Sequence, residues 1–187
     1  MAEHHVCPIW VGYLLASPVR KLFENPRKML GPYVSEGMTV ADIGCAMGFF
    51  SLPLAEMVGP KGRVICVDVQ EKMIRSLEKR ARKAGLSGRI KTLICNDGSL
   101  CLDNAEEEID FVLASAVLHE VPDAVRFFSE IHKSIKPAGR LLVAEPKGHV
   151  SEKDFETTIS VAEQNGFTVA DSLEIKRSRA VLLEKKP

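Results

Sequence analysis

Three carboxylates and a glycine-rich turn are the residues of this sequence best spaced to do chemistry. The turn reads Asp42-Ile-Gly44-Cys-Ala-Met-Gly48. Glycine lets a backbone turn tightly and approach a ligand closely, because no Cβ intrudes. A helix opening just after it offers N–H groups and a positive dipole end to an anionic group. That logic serves several nucleotide-derived ligands, and the spacing narrows it. After Gly44 the next glycine is Gly48, so the G-x-G-x-x-G of dinucleotide-binding turns is absent. Asp42, two places before the first glycine, would repel a pyrophosphate but accept a hydrogen bond from an ammonium, directly or through water. Asp68 is placed to accept from both hydroxyls of a ribose, and Asp97 from an exocyclic adenine amine. Each acid alone could be an ordinary cap or turn former. All three at consecutive strand ends, together with the glycines, point to binding.

The elements that must position these residues alternate from about Met38 onward, which is the pattern of a parallel α/β sheet. Strands are expected at 39–43, 63–68, 90–95, 109–114 and 140–144. Helices are expected at about 49–58, 71–84, 124–135 and 152–165. Gly59-Pro60, Gly85, Lys136-Pro-Ala-Gly139 and Gly166 supply the stops between them. The apolar run Val64-Ile-Cys-Val67 reads as a strand covered on both faces. Met73, Ile74, Leu77, Ala81 and Ala84 recur at helical spacing. Two closing strands, 167–175 and 179–184, are joined by a polar turn at 176–178 too short for a crossover, so they form an antiparallel pair. Residues 1–37 lie outside this alternation and read as a helical arm packed on the core at 38–187, with Val19–Leu30 helical in two pieces about Pro26. The whole chain is expected to be one domain.

Composition bounds the function. The 187 residues are 45% hydrophobic and 27% charged, with 25 basic and 25 acidic side chains. A balanced charge leaves no electrostatic footprint for nucleic acid or an anionic membrane. Lys79, Arg80, Arg82 and Lys83 read as a solvated helix face. Cys7, Cys45, Cys66, Cys95 and Cys101 are odd in number and lack a C-x-x-C pair, so reduced thiols in a cytoplasmic protein are expected and no zinc site. The apolar stretch Val6–Ala16 is interrupted by Pro8 and Gly12 and is far shorter than a membrane span, so no stable insertion is expected.

In these motifs the chain resembles the class I S-adenosylmethionine-dependent methyltransferases, over about Met38 to Lys186. The family's glycine-rich motif is matched by Asp42–Gly48, its ribose-binding acid by Asp68 and its adenine-contacting acid by Asp97. Ile109–His119 and Ile135-Lys-Pro-Ala-Gly139 are also similar to the family's fourth strand and to its Leu-Lys-Pro-Gly-Gly. Within the family the chain is most similar to the ubiquinone/menaquinone-biosynthesis-like branch, which methylates small molecules. The resemblance implies a Rossmann-like, doubly wound α/β sheet of order 3-2-1-4-5-7-6 with strand seven antiparallel. It implies S-adenosylmethionine as cofactor, held by Asp42, Gly44, Cys45, Ala46, Gly48, Asp68, Val69, Asn96, Asp97, Gly98 and Ser115. Ala46 stands where the family has its middle glycine, and alanine accepts only negative φ comfortably.

Methyl transfer from a sulfonium is an in-line displacement, so the protein mainly aligns the acceptor and excludes water. A base is needed only for acceptors that must first lose a proton. Ser115, His119 and Glu120 after the fourth strand and Glu145 after the fifth are the candidates. His119 is the best of them by its pKa near neutrality, against packing over the cofactor or capping the next helix. The family's Asn/Asp-Pro-Pro-aromatic motif for nucleic-acid amines and glutamine is replaced by Ala114-Ser-Ala-Val117, which turns expectation towards a small organic acceptor. His4, His5 and Cys7 suit a soft metal or metalloid by ligand type, but a packed arm, or a lid over the acceptor, is the simpler reading. Competing functions are methylation of a thiol or of a metalloid such as arsenite, and a cofactor-binding regulatory protein without turnover. A nicotinamide-dependent oxidoreductase ranks below these because the turn spacing disagrees. A monomer or homodimer is expected.

Overall fold

The computed structural model describes residues 24–95, 98–102, 105 and 108–186. The expectations for His4, His5, Cys7 and the start of the N-terminal arm, and for Asn96 and Asp97, lie outside the described residues. Two compact units make up the chain, Met1–Cys95 and Asn96–Pro187.

In the first unit, β1 (Thr39–Ile43), β2 (Arg63–Asp68) and β3 (Ile90–Ile94) are parallel, with β2 between the other two. Val64, Ile65, Cys66 and Val67 of β2 are all buried, as their continuous apolar run requires. Parallel strands need crossovers, and two helices supply them. The first, α2 (Ser51–Met57), follows α1 (Pro26–Leu30) in the chain. Of the two helical pieces expected about Pro26, the described one is α1, which Pro26 opens at its first turn, where its missing N–H costs nothing and Asn25 caps the turn. The second crossover, α3 (Glu71–Lys83), buries Met73, Ile74, Leu77 and Ala81 as one stripe. Full burial of each larger side chain there is worth about 2 kcal/mol.

In the second unit, β4 (Ile109–Ser115) and β5 (Ile135–Pro146) are parallel, and β5 is antiparallel to β7 (Ser178–Lys185). β6 (Phe167–Ile175) pairs antiparallel with β7 through a two-residue turn, in which Arg177 takes φ +71°. Between β4 and β5 lies α4 (Ala124–Ser134), capped by Asp123, whose carboxylate accepts the Arg126 N–H at 2.9 Å. Between β5 and β6 lies α5 (Glu152–Gln164), capped by Ser151.

Residues 136–139 were expected to break the helix before a fifth strand at 140–144. The helix does end, at Ser134, but the strand begins earlier. Ile135 already pairs with Ile109 and, after 136–139 loop out, the ladder resumes with Arg140 opposite Phe111. Lys136 donates to Asp110 at 2.5 Å across this bulge. A Cβ on Gly139 would sit 2.6 Å from Ile135 Cγ1, so close approach, rather than an unusual φ, demands glycine there. The left-handed position of the loop is Ala138, at φ +57°.

The seven strands stand in the order β3-β2-β1-β4-β5-β7-β6, as the resemblance implies. Among the described residues no helix is long and apolar enough to cross a membrane.

Candidate cofactor turn and acid–base pair

The turn after β1 is held by the strand beside it. Asp42 and Ile43 pair with Cys66 and Val67 of β2. The next two amides, Gly44 N–H and Cys45 N–H, both donate to the Val67 carbonyl, at 2.9 and 3.0 Å. Ala46 N–H then donates to Asp68 Oδ2 at 2.8 Å, and Gly48 N–H to the Cys45 carbonyl at 2.9 Å. These four amides therefore bind within the protein and do not form a helix-terminal anion cradle. α2 begins only at Ser51, two residues later than expected, and is seven residues long.

Three residues of this turn have left-handed backbones: Gly44 at φ +70°, Ala46 at +45° and Gly48 at +82°. For Ala46 that conformation is strained, by an amount on the order of 1 kcal/mol. Replacing Ala46 with glycine is expected to raise stability by up to about 1 kcal/mol, less what glycine's freer unfolded chain takes back. For a chain of this size that is a rise of about 2–4 °C in a thermal melt. A fall in Tm would show that the alanine methyl makes compensating contacts.

Helix α3 backs the turn. A Cβ on Gly48 would lie 2.2 Å from Leu77 Cδ1, so this glycine serves both φ and packing. One turn further along, Arg80 donates to the Met47 carbonyl. The basic cluster of α3 was expected to be solvated throughout; Arg80 departs from that, because its stem lies along the helix face that meets the turn. Burial lowers its pKa without threatening its charge.

The two acids of this unit have different surroundings. Asp42 is buried and accepts the Ser51 hydroxyl at 2.5 Å, which ties the end of β1 to the first residue of α2. Asp68, at the end of β2, accepts Ala46 N–H on Oδ2 and Gln70 N–H on Oδ1, each at 2.8 Å. Burial pushes its carboxyl pKa up, against backbone hydrogen bonds from Gln70, Ala46 and Val69 that favour the ionised form. A carboxylate offers about four lone-pair sites, so these three bonds leave room for one hydroxyl donor. Beside it Val69 is 38% exposed, one of few large apolar side chains so placed among the described residues. Cys45 is buried, and burial first, then the neighbouring Cys66 thiol, raises its pKa. It is a core thiol and no nucleophile at neutral pH.

The second unit gathers another group. Ser115 ends β4 opposite Ala144 of β5, and Ala116 turns left-handed at φ +55° while donating its N–H to the Ala144 carbonyl. Glu145, the next residue of β5, is only 2% exposed. Its Oε1 accepts Val117 N–H at 3.0 Å and Leu118 N–H at 2.9 Å; its Oε2 accepts from His119 Nδ1 at 2.5 Å. His119 lies in a single 3-10 turn, Leu118–Glu120, and does not cap α4. Its Nε2 is 3.9 Å from Glu120 Oε1, and its ring meets that of His149 edge-to-face at 5.4 Å between centroids. The hydrogen bond to Glu145 raises the His119 pKa most, and the charges of Glu145 and Glu120 add to it against opposing burial.

Gly98 is described, and a Cβ there would come within 3.3 Å of Arg126. The stretch that follows is anchored to α4: Glu130 accepts from the Leu100 N–H at 2.7 Å and from Ser99 at 3.2 Å. Ser51, Leu77, Arg80, Glu130 and His149 are neighbours that sequence reasoning missed. Only the helical phase of Leu77 and Arg80, three apart on α3, carried any signal of them. Among the described residues no group of three or more His, Cys, Asp or Glu side chains is placed to hold a metal ion.

Comparison with known proteins falls in line with this geometry. A family model described as a methyltransferase domain matches residues 34–180. The demethylmenaquinone methyltransferase of Lactobacillus johnsonii is 30% identical over 112 residues, 60% of this chain and 45% of that protein. The ubiquinone/menaquinone biosynthesis C-methyltransferase of Pasteurella multocida is 30% identical over the same share of this chain and 41% of its own. The chain thus spans less than half the length of these curated relatives. Among solved structures, a SAM-dependent methyltransferase from Aquifex aeolicus superposes with TM-score 0.85 at 26% identity, over 96% of this chain and all of that one.

Proposed function

The chain belongs to the methyltransferase-domain family, and we propose that it is an S-adenosylmethionine-dependent methyltransferase acting on a small organic acceptor. The observation that carries this reading is the lacing of the Gly44–Gly48 turn onto Asp68. The Ala46 amide holds one oxygen of a buried carboxylate at the end of β2, with a remaining lone pair that suits a ribose hydroxyl. Val69 gives the adenine an exposed apolar neighbour, and Asn96, Asp97 and Gly98 would complete its surroundings. Asp42 acts chiefly through Ser51, holding the turn in shape. The cofactor supplies an activated methyl on a sulfonium; the protein's task is to bind and orient it. The relatives' names favour a small aromatic as acceptor and carbon as the methylated atom.

The full chain should bind S-adenosylmethionine and S-adenosylhomocysteine in a calorimeter, and NADH should give no heat. Heat from NADH alone would overturn the reading in favour of an oxidoreductase. Binding of the methyl donor with no S-adenosylhomocysteine formed across acceptors of every class would favour a regulatory protein instead.

A further inference from the structure

The turn after β5 is fastened to the start of β7. His149 N–H and Val150 N–H both donate to the Pro146 carbonyl at 3.0 Å, and Lys147 N–H donates to the Arg177 carbonyl at 2.9 Å. Arg179 adds a side-chain bond, its Nη1 donating to the Val150 carbonyl at 3.2 Å. The guanidinium thus sits against the residue next to His149, whose ring meets that of His119. Arg179 is half-buried. It stands opposite Glu145 in the β5–β7 ladder and opposite Glu174 in the β6–β7 ladder. Directly opposed residues of paired strands project from the same face of the sheet, so Arg179 shares its face with Glu145.

Neither acid takes up its charge. Among the described residues Arg179 makes no ion pair, and the Val150 carbonyl is the one hydrogen-bond partner of its side chain. The oxygens of Glu145 are engaged by His119 and by two amides of the loop after β4. A guanidinium carries five N–H donors in a planar fork. With Nη1 on Val150, the edge formed by Nε and Nη2 keeps its two parallel donors, the arrangement that takes both oxygens of a carboxylate. Lys147, Lys176 and Arg177 lie near it in the two turns, so this end of β7 is basic in a chain whose total charge is zero. A half-buried cation is costly without a counter-charge, and a neutral donor would serve to hold a carbonyl.

We infer that Arg179 is a specificity-determining residue of the acceptor site and binds the carboxylate of an anionic acceptor. This rests on the proposed methyl transfer and names a chemical feature of its substrate. Binding one end of the acceptor in a bidentate pair fixes its orientation, which is most of what transfer from an already activated methyl asks of the protein. The turn after β5 keeps the guanidinium in place, because Val150 holds Nη1 and leaves the free edge of the fork in one direction.

The test uses the full chain saturated with S-adenosylhomocysteine and three probes on one ring system: 2-naphthoate, 2-naphthamide and 2-naphthylmethylammonium. In a calorimeter 2-naphthoate should bind at least about tenfold more tightly than the amide, as a charge-assisted pair implies, and the ammonium should bind least. Added salt should weaken the naphthoate and leave the amide unchanged. The Arg179 Nε–H resonance should shift on addition of naphthoate and stay in place with the amide. Arg179→Gln should erase the preference for the carboxylate. Arg179→Lys, which keeps the charge and loses the fork, should retain a smaller one. S-Adenosylhomocysteine should bind all three proteins equally. Equal binding of naphthoate and naphthamide by the wild type, or a preference that survives Arg179→Gln, would overturn the inference. So would an equal loss of both ligands in that variant, which is what a purely structural pin predicts, tighter binding of the ammonium, or no binding of any probe. A wild-type chain that fails to bind S-adenosylhomocysteine would overturn the methyltransferase reading instead, and the same titrations on the free protein would still judge Arg179.

Discussion

Asp68→Ala is expected to weaken S-adenosylmethionine binding by 100-fold or more, about 2.7 kcal/mol. A hydrogen bond to a charged group is worth about 1.5–3 kcal/mol, so one from a ribose hydroxyl accounts for a loss of this size. The carboxylate also accepts the Ala46 and Gln70 amides, so its removal loosens the turn as well as the ligand contact. A ligand comparison separates these two effects. Wild-type protein should prefer 5′-methylthioadenosine over its 2′,3′-dideoxy analogue by a wide margin, and Asp68→Ala should bind both about equally. If the variant keeps the wild-type preference, the ribose assignment is wrong, however much overall affinity has fallen. The pH dependence has a definite sign. Burial raises the Asp68 pKa, and hydroxyl donors favour its ionised form. Affinity should therefore be complete above that raised value and be lost as pH falls through it, starting at higher pH than for an exposed aspartate.

Gly48→Ala is expected to destabilise the fold by about 2–4 kcal/mol, the sum of left-handed backbone strain and overpacking. The new Cβ would meet Leu77 Cδ1 at 2.2 Å, so the end of that fully buried side chain must shift within the core. Urea denaturation of the single variants and of Gly48→Ala with Leu77→Ala tests the cause. Leu77→Ala is itself costly, by about 2–5 kcal/mol. In its background, however, the Gly48→Ala penalty should shrink to the backbone share of about 1 kcal/mol. An undiminished penalty there would put the whole effect in φ, and none of it in the packing of α3 on the turn.

These two residues illustrate how far the sequence could be read. Asp68 was legible because a strand-terminal acid at that distance from a glycine turn is a chemical pattern. The role expected for it needs nothing more than its position at the end of β2. Gly48 was legible as a turn residue and a motif member, but its packing against Leu77 was not. That contact joins positions 29 apart, and nothing in a local window records which face of α3 meets the turn. Ala46 was legible as a departure from the family pattern, and its φ of +45° shows that the backbone keeps the glycine-like conformation despite the methyl.

The sequence by itself determined the alternation of strands and helices, the strand ends at which Asp42 and Asp68 stand, and the turn between β1 and α2. Those features follow from local periodicity, turn chemistry and burial pattern, which are written in neighbouring residues. Through family resemblance it also carried the strand order. Only the tertiary structure decided how the polar groups are shared out. It sent Asp42 to Ser51 instead of leaving it aimed outward, directed the turn amides inward to Val67 and Asp68, and brought Arg80 out of the solvated face onto Met47. It also joined Glu145 to His119 across 26 residues. Hydrogen-bond partners in a folded chain are chosen by which buried donors and acceptors come within reach once the strands are paired, and that choice has no periodicity for a sequence to display.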